Sequence, residues 1–148
     1  MVSLTATERA FAAVRLDGKV ICWGDAMYGG KCGEEVVRVE KVKASHRAFA
    51  AISKDCIMAW GDPDFGGDCP IAKGHVLEIQ ATAGAFAASL DGELIVWGHR
   101  DLGAQLPQMP DFQDVQRIES TQGAFAAILG SGEVITWGSA FAGCFTEL

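Results

Sequence analysis

With 148 residues, 49% of them hydrophobic and a mean hydropathy of +0.18, the chain has the apolar content of one ordinary folded domain. A net charge of −7 and a pI near 4.8 set it against polyphosphate and anionic lipid, so nucleic acid is not an expected partner. No apolar run approaches the ~20 residues that cross a bilayer, and no charged-then-apolar leader opens the chain, so neither a membrane nor secretion is expected.

In chain order the same set of markers recurs four times. Copy one, about residues 1–38, runs from the apolar pair Met1 and Leu4 through Ala6-Thr7 to Ala10-Phe11-Ala12-Ala13. A turn signal Asp17-Gly18 follows, then Trp23-Gly24 and, six residues after the Trp, Gly29. Copy two, 39–75, repeats this with Val39 and Val42, Ala44-Ser45, Phe49, Trp60-Gly61 and Gly66. Copy three, 76–114, has Val76 and Ile79, Ala81-Thr82, Phe86, Asp91-Gly92, Trp97-Gly98 and Gly103. Copy four, 115–148, has Val115 and Ile118, Ser120-Thr121, Phe125, Ser131-Gly132, Trp137-Gly138 and Gly143. The phenylalanines are spaced by 38, 37 and 39 residues.

Asp-Gly or Ser-Gly between apolar runs predicts a β-hairpin, because glycine accepts the positive φ of tight hairpin turns. Copy two has Asp55-Cys56 there, so a residue with a Cβ must occupy the turn or the turn must change type. Each copy therefore reads as three short strands in one single-domain array. The middle strand is apolar on both faces: Phe11 and Ala13 point one way, Ala10, Ala12 and Val14 the other. Strands buried on both faces require sheets stacked on sheets, with alanines in the tight places. The expectation is an all-β fold of three- to four-stranded antiparallel repeats.

Val-x-x-Ile, small residues, then Asp-Gly-x-Val-x-x-Trp-Gly and a later glycine resembles the repeat of the regulator of chromosome condensation family. The strongest elements are Asp17-Gly18-Lys19-Val20-Ile21-Cys22-Trp23-Gly24 and Ser131-Gly132-Glu133-Val134-Ile135-Thr136-Trp137-Gly138. The resemblance spans all four copies and implies a β-propeller. It departs from the family in a shorter period and in Ala10, Ala48, Ala85 and Ala124, which stand where the family has histidine. Gly-Gly replaces the family's Gly-Gln-Leu-Gly in copies one and two. Family rings have more blades than four, so the alternatives are a small closed ring, an open arc, a piece of a longer array, or a stacked β-solenoid.

The resemblance implies a non-catalytic protein-interaction scaffold. The alternative it carries is a regulatory or substrate-recognition part related to ubiquitin ligases or small-GTPase exchange factors. Phe11, Trp23, Phe49, Trp60, Phe86, Trp97, Phe125 and Trp137 are expected in the core, because each has a fixed place in its strand. Binding falls to the loops after each Trp-Gly, where copies diverge most: Tyr28, Phe65 and Leu102 share one position, with Arg100, Phe141 and Phe145 nearby. The alternative is that these side chains pack inward over the sheet edge.

Asp62, Asp64 and Asp68 could face a hard cation, but they match no complete loop signature, and no metal or other cofactor is expected. His46, His75 and His99 stand beside no nucleophile motif, so no catalytic residue is expected. Five sparse cysteines, Cys22, Cys32, Cys56, Cys69 and Cys144, suggest reduced thiols in the cytoplasm or nucleus. A protein is the expected partner. Open repeat ends, at Met1 to Thr7 and at the C-terminus, would let copies self-associate.

Overall fold

The computed structural model describes residues 3–34, 36–69, 72–107 and 113–139. Its regular structure is four antiparallel sheets and three single-turn 3₁₀ segments. Sheet 1 holds β1 (Ser3–Ala6), β2 (Ala10–Val14) and β3 (Val20–Gly24). Sheet 2 holds β4 (Val39–Ala44), β5 (Ala48–Ser53), β6 (Cys56–Gly61) and the two-residue β7 (Ala72–Lys73). Sheet 3 holds β8 (Val76–Ala81), β9 (Ala85–Leu90) and β10 (Glu93–Gly98). Sheet 4 holds β11 (Val115–Ser120), β12 (Ala124–Leu129) and β13 (Val134–Gly138). In each, the strand carrying Ala-Phe-Ala-Ala is in the middle of the first three, as its two-sided apolarity demands.

β7 is what remains of a fourth strand. It pairs with β6 through Ile57 and Ala72. Sheet 1 keeps only a trace of it, the bond from Val20 N–H to the Val36 carbonyl at 3.4 Å.

The hairpins differ as their turn residues do. Asp91-Gly92 is a two-residue turn with φ of 51° and 84°, the left-handed pair of a type I′ turn. Copy two has no glycine, and there the turn becomes Lys54-Asp55, with Ser53 directly opposite Cys56 and no left-handed residue. Cys56 is thus a strand residue, and the turn has changed type rather than strained a side chain.

Phe and Trp of each copy are directly opposed across the hairpin and stack, with ring centroids 5.4–5.5 Å apart. Three cores follow, each between consecutive sheets. Ala10, Ala12, Val14 and Val20 of sheet 1 pack on Val42, Phe49, Ala51 and Trp60 of sheet 2. Ala48, Ala50, Ile52 and Ile57 of sheet 2 pack on Ile79, Phe86, Ala88 and Trp97 of sheet 3. Ala85, Ala87 and Leu94 of sheet 3 pack on Ile118, Phe125, Ala127 and Trp137 of sheet 4. Sheets 1 to 3 therefore each have an alanine face that receives the aromatic face of the next.

The glycine six residues after Trp23, Trp60 and Trp97 makes this contact possible. Gly66 has φ +97°, and a Cβ there would lie 2.5 Å from a ring carbon of Phe86 in the next sheet. Its carbonyl accepts the indole N–H of Trp97 at 3.1 Å, and the same bond joins Trp60 to Gly29 and Trp137 to Gly103.

Phe49, Phe86 and Phe125 are buried, as are Trp60, Trp97 and Trp137. Phe11 and Trp23 differ from expectation: they are 43% and 46% exposed, because among the described residues no sheet precedes sheet 1 to cover them. The expectation of reduced thiols also needs correction, since Cys22 and Cys32 form a disulfide across ten residues. Cys56 and Cys69 carry thiols. Cys144, Phe141, Gly143 and Phe145 lie outside the described residues, as does Met1.

Candidate loop face on one edge of the sheets

After each Trp-Gly the chain makes one 3₁₀ turn, Ala26–Tyr28, Pro63–Phe65 or Arg100–Leu102. The residue two after the Trp starts it. Asp25 accepts from Met27 N–H at 2.9 Å, Asp62 from Asp64 N–H at 3.0 Å, and His99 Nδ1 from Asp101 N–H at 3.3 Å. A left-handed glycine ends each turn.

A hydroxyl then ties the loop to its own sheet. Thr7 Oγ1 donates to the Tyr28 carbonyl at 2.9 Å, Ser45 Oγ to Phe65 at 2.8 Å and Thr82 Oγ1 to Leu102 at 2.7 Å. Ser45 and Thr82 also accept from the N–H three residues on, at 3.1 and 3.0 Å, so both are fully used. The Thr or Ser four residues before each Phe was visible as a repeat marker; its role as a loop tether was not.

These tethers place Tyr28, Phe65 and Leu102 in a row along one edge, all half-buried. Between them stand residues two before each Phe. The Arg9 and Arg47 guanidinium groups lie 5.0 and 5.1 Å from the Tyr28 ring centre, and Arg47 also lies 4.8 Å from that of Phe65. Arg47 is held by Asp62 at 3.5 Å. Gly84 takes the same position in copy three, and a Cβ there would meet Leu102 at 2.7 Å and Phe65 at 3.3 Å. Phe65 also meets the His99 ring at 5.9 Å. The row thus runs Arg9, Tyr28, Arg47, Phe65, Leu102, with Tyr28 and Phe65 each meeting a side chain of the next copy.

Arg100 stays outside this row, exposed and bonded to Gln105 Oε1 at 3.1 Å. Arg9 and Arg47 were missed in the sequence; the signal they share is their place two residues before a Phe. Asp62 and Asp64 serve the turn as cap and first-turn residue. Among the described residues no group of three or more His, Cys, Asp or Glu could hold a metal ion. His46 Nδ1 lies 3.1 Å from Glu8 Oε1. Burial, with help from Asp68 and Cys56, pushes the Cys69 thiol up to about 12. No helix among the described residues is long and apolar enough to cross a membrane.

No protein family matches the chain, and no curated protein does. Fifty-four chains of solved structures do match. The CRINKLY WD40 ectodomain of the Arabidopsis thaliana receptor kinase ACR4 aligns with TM-score 0.66 at 18% identity, over 98% of this chain and 52% of that one. Prp20p from Saccharomyces cerevisiae aligns with TM-score 0.69 at 14% identity, over 92% of this chain and 44% of that one. Yeast RCC1 (Prp20) in its complex with Kap60 gives TM-score 0.63 at 15% identity, over 92% and 43%. The fold is that of a β-propeller. The sheets are therefore blades, radially arranged rather than stacked as a solenoid, and the chain spans about half the length of these propellers. Their first strands β1, β4, β8 and β11 adjoin one another from blade to blade: Thr5 Oγ1 donates to the Val42 carbonyl at 3.4 Å and Ser120 Oγ to that of Ala81 at 2.8 Å.

Proposed function

We propose that this single repeat domain is a non-catalytic protein-interaction scaffold, a short-repeat relative of the regulator of chromosome condensation family, that docks its partner on the loop edge. The observation that carries this reading is the Arg9–Tyr28–Arg47–Phe65 row. Aromatic and arginine side chains are the residues that most often anchor protein interfaces, and here they are pre-positioned. Stacking and hydroxyl tethers hold them, so little side-chain entropy is lost on docking. Exposed Arg9 and Arg100 suit a partner with acidic side chains on its contact surface. Protein partners are also named for the structural neighbours: Prp20p was studied for binding Gsp1p and histones, and Kap60 was solved bound to yeast RCC1.

The test is affinity capture from native cell extract with the unaltered chain and with a Tyr28→Ala/Phe65→Ala double variant. Proteins retained specifically by the first and lost with the second are the expected result. Retention that is indifferent to the double substitution would place docking elsewhere.

A further inference from the structure

The three blade junctions use the same two faces, and at each end of the described residues one of those faces carries exposed apolar side chains. Blade 1 presents the aromatic face: Leu4, Phe11, Ile21 and Trp23 are 62, 43, 47 and 46% exposed. Their counterparts in blade 3, Ile79, Phe86 and Trp97, are 0, 0 and 5% exposed, with Ile95 half-buried. Blade 4 presents the alanine face: Ile128 and Val134 are 42 and 56% exposed. The residues equivalent to Val134 in blades 1 to 3, Val20, Ile57 and Leu94, are only 6–8% exposed. Ala124 and Ala126 stand beside Ile128 on that face, as Ala85 and Ala87 do in blade 3.

A polar pattern has the same direction. Glu8 N–H donates to the His46 carbonyl at 2.9 Å, His46 N–H to Ala83 at 2.8 Å and Ala83 N–H to Gln122 at 2.8 Å. These residues all stand three before a Phe. Among the described residues, the run ends with the Glu8 carbonyl at one end of the chain and the Gln122 N–H at the other. Blade 1 also has Trp23 Nε1, which finds no acceptor among the described residues, whereas the other three indoles each bond to the preceding blade.

We infer that two copies of this chain join head to tail, the aromatic face of blade 1 of each covering the alanine face of blade 4 of the other. Among the described residues, the two exposed faces and the Glu8 and Gln122 main-chain groups repeat the arrangement that the chain already uses at its three junctions. Four blades make about half of the solved propellers' length, so two such arcs close one ring. In that ring the Gln122 N–H of one copy donates to the Glu8 carbonyl of its partner and continues the blade-to-blade run. Ile21 meets Val134, as Ile135 shares a core with Leu94.

Sedimentation velocity of the full chain from about 1 to 100 μM tests this, in the range where specific interfaces hold or release. The expected species has twice the 15.7 kDa chain mass. Ile21→Asp and Val134→Lys alter side chains that are exposed in the single chain, so each variant folds, as far-ultraviolet circular dichroism would verify. Each alone should weaken the dimer at least about tenfold, and an equimolar mixture should restore it through one unaltered junction and one Asp–Lys junction. A chain that stays monomeric throughout would overturn the inference. So would a dimer that ignores Val134→Lys, which would mean aromatic face on aromatic face, or a mixture that fails to recover.

Discussion

Blades 1 and 3 carry the same Phe–Trp pair at the same register, yet one pair is nearly half exposed and the other buried. The stacking is alike in both, with centroids 5.5 and 5.4 Å apart. What differs is the presence of a preceding blade with an alanine face and a glycine carbonyl. The pair's contribution to stability therefore belongs to the junction and not to the hairpin, as expected when each repeat touches only its neighbours.

Substituting the tryptophans gives the sharpest contrast. Trp60→Ala should cost about 3–5 kcal/mol in urea unfolding, whereas Trp23→Ala in dilute, monomeric protein should cost about 1 kcal/mol or less. Equal losses would mean that the pair acts within its own hairpin. Glycine offers the next test. Gly66→Ala combines a left-handed backbone with a collision against Phe86 and should cost about 2–4 kcal/mol. Gly132, with φ +90° and nothing within 4 Å of its added Cβ, should lose only about 1–2 kcal/mol as alanine.

A third contrast concerns the disulfide, which ties blade 1 where blade 2 uses the β6–β7 pairing. Reducing it should destabilise by up to about 3 kcal/mol, seen as a lower urea midpoint with dithiothreitol. Ala59 stands in blade 2 where Cys22 stands in blade 1, and Cys69, at the position of Cys32, carries a thiol. The smallest effect is in pH. The folded chain holds Cys69 protonated up to about 12 against an ordinary 9.0, so the unfolded chain loses this proton first. Stability from this group is complete below about pH 9 and declines between about 9 and 12. At pH 8 Cys69 should resist iodoacetamide in the folded protein and react once urea unfolds it, read by mass spectrometry.

Much of this architecture was legible because it is written four times. Strand order, the Phe–Trp pairing and the alternation of Ala10, Ala12 and Val14 with Phe11 and Ala13 follow from period-two side chains and a repeated marker. The burial of Phe11 and Trp23 was misjudged for the same reason: a repeat reads alike at the end of an array and inside it, while burial depends on neighbours. Cys22 and Cys32 were hidden by their oddness, since neither position has cysteine in every copy and pairing depends on where the 3₁₀ turn returns the chain. At the loop edge, Tyr28 and Phe65 could be found by position. Their arginine partners could not be assigned, because Arg47 reaches Tyr28 from the following blade and that contact is set by the junction.

The blade-to-blade run through Glu8, His46, Ala83 and Gln122 is made of main-chain groups alone. Those four residues share a position and nothing in their chemistry. A joint of this kind places no demand on the side chain, so duplicated copies can drift apart at these corners without loosening the array. The loop edge beside them inherits that freedom: new recognition chemistry can be tried there, one copy at a time, on a joint that does not register the change.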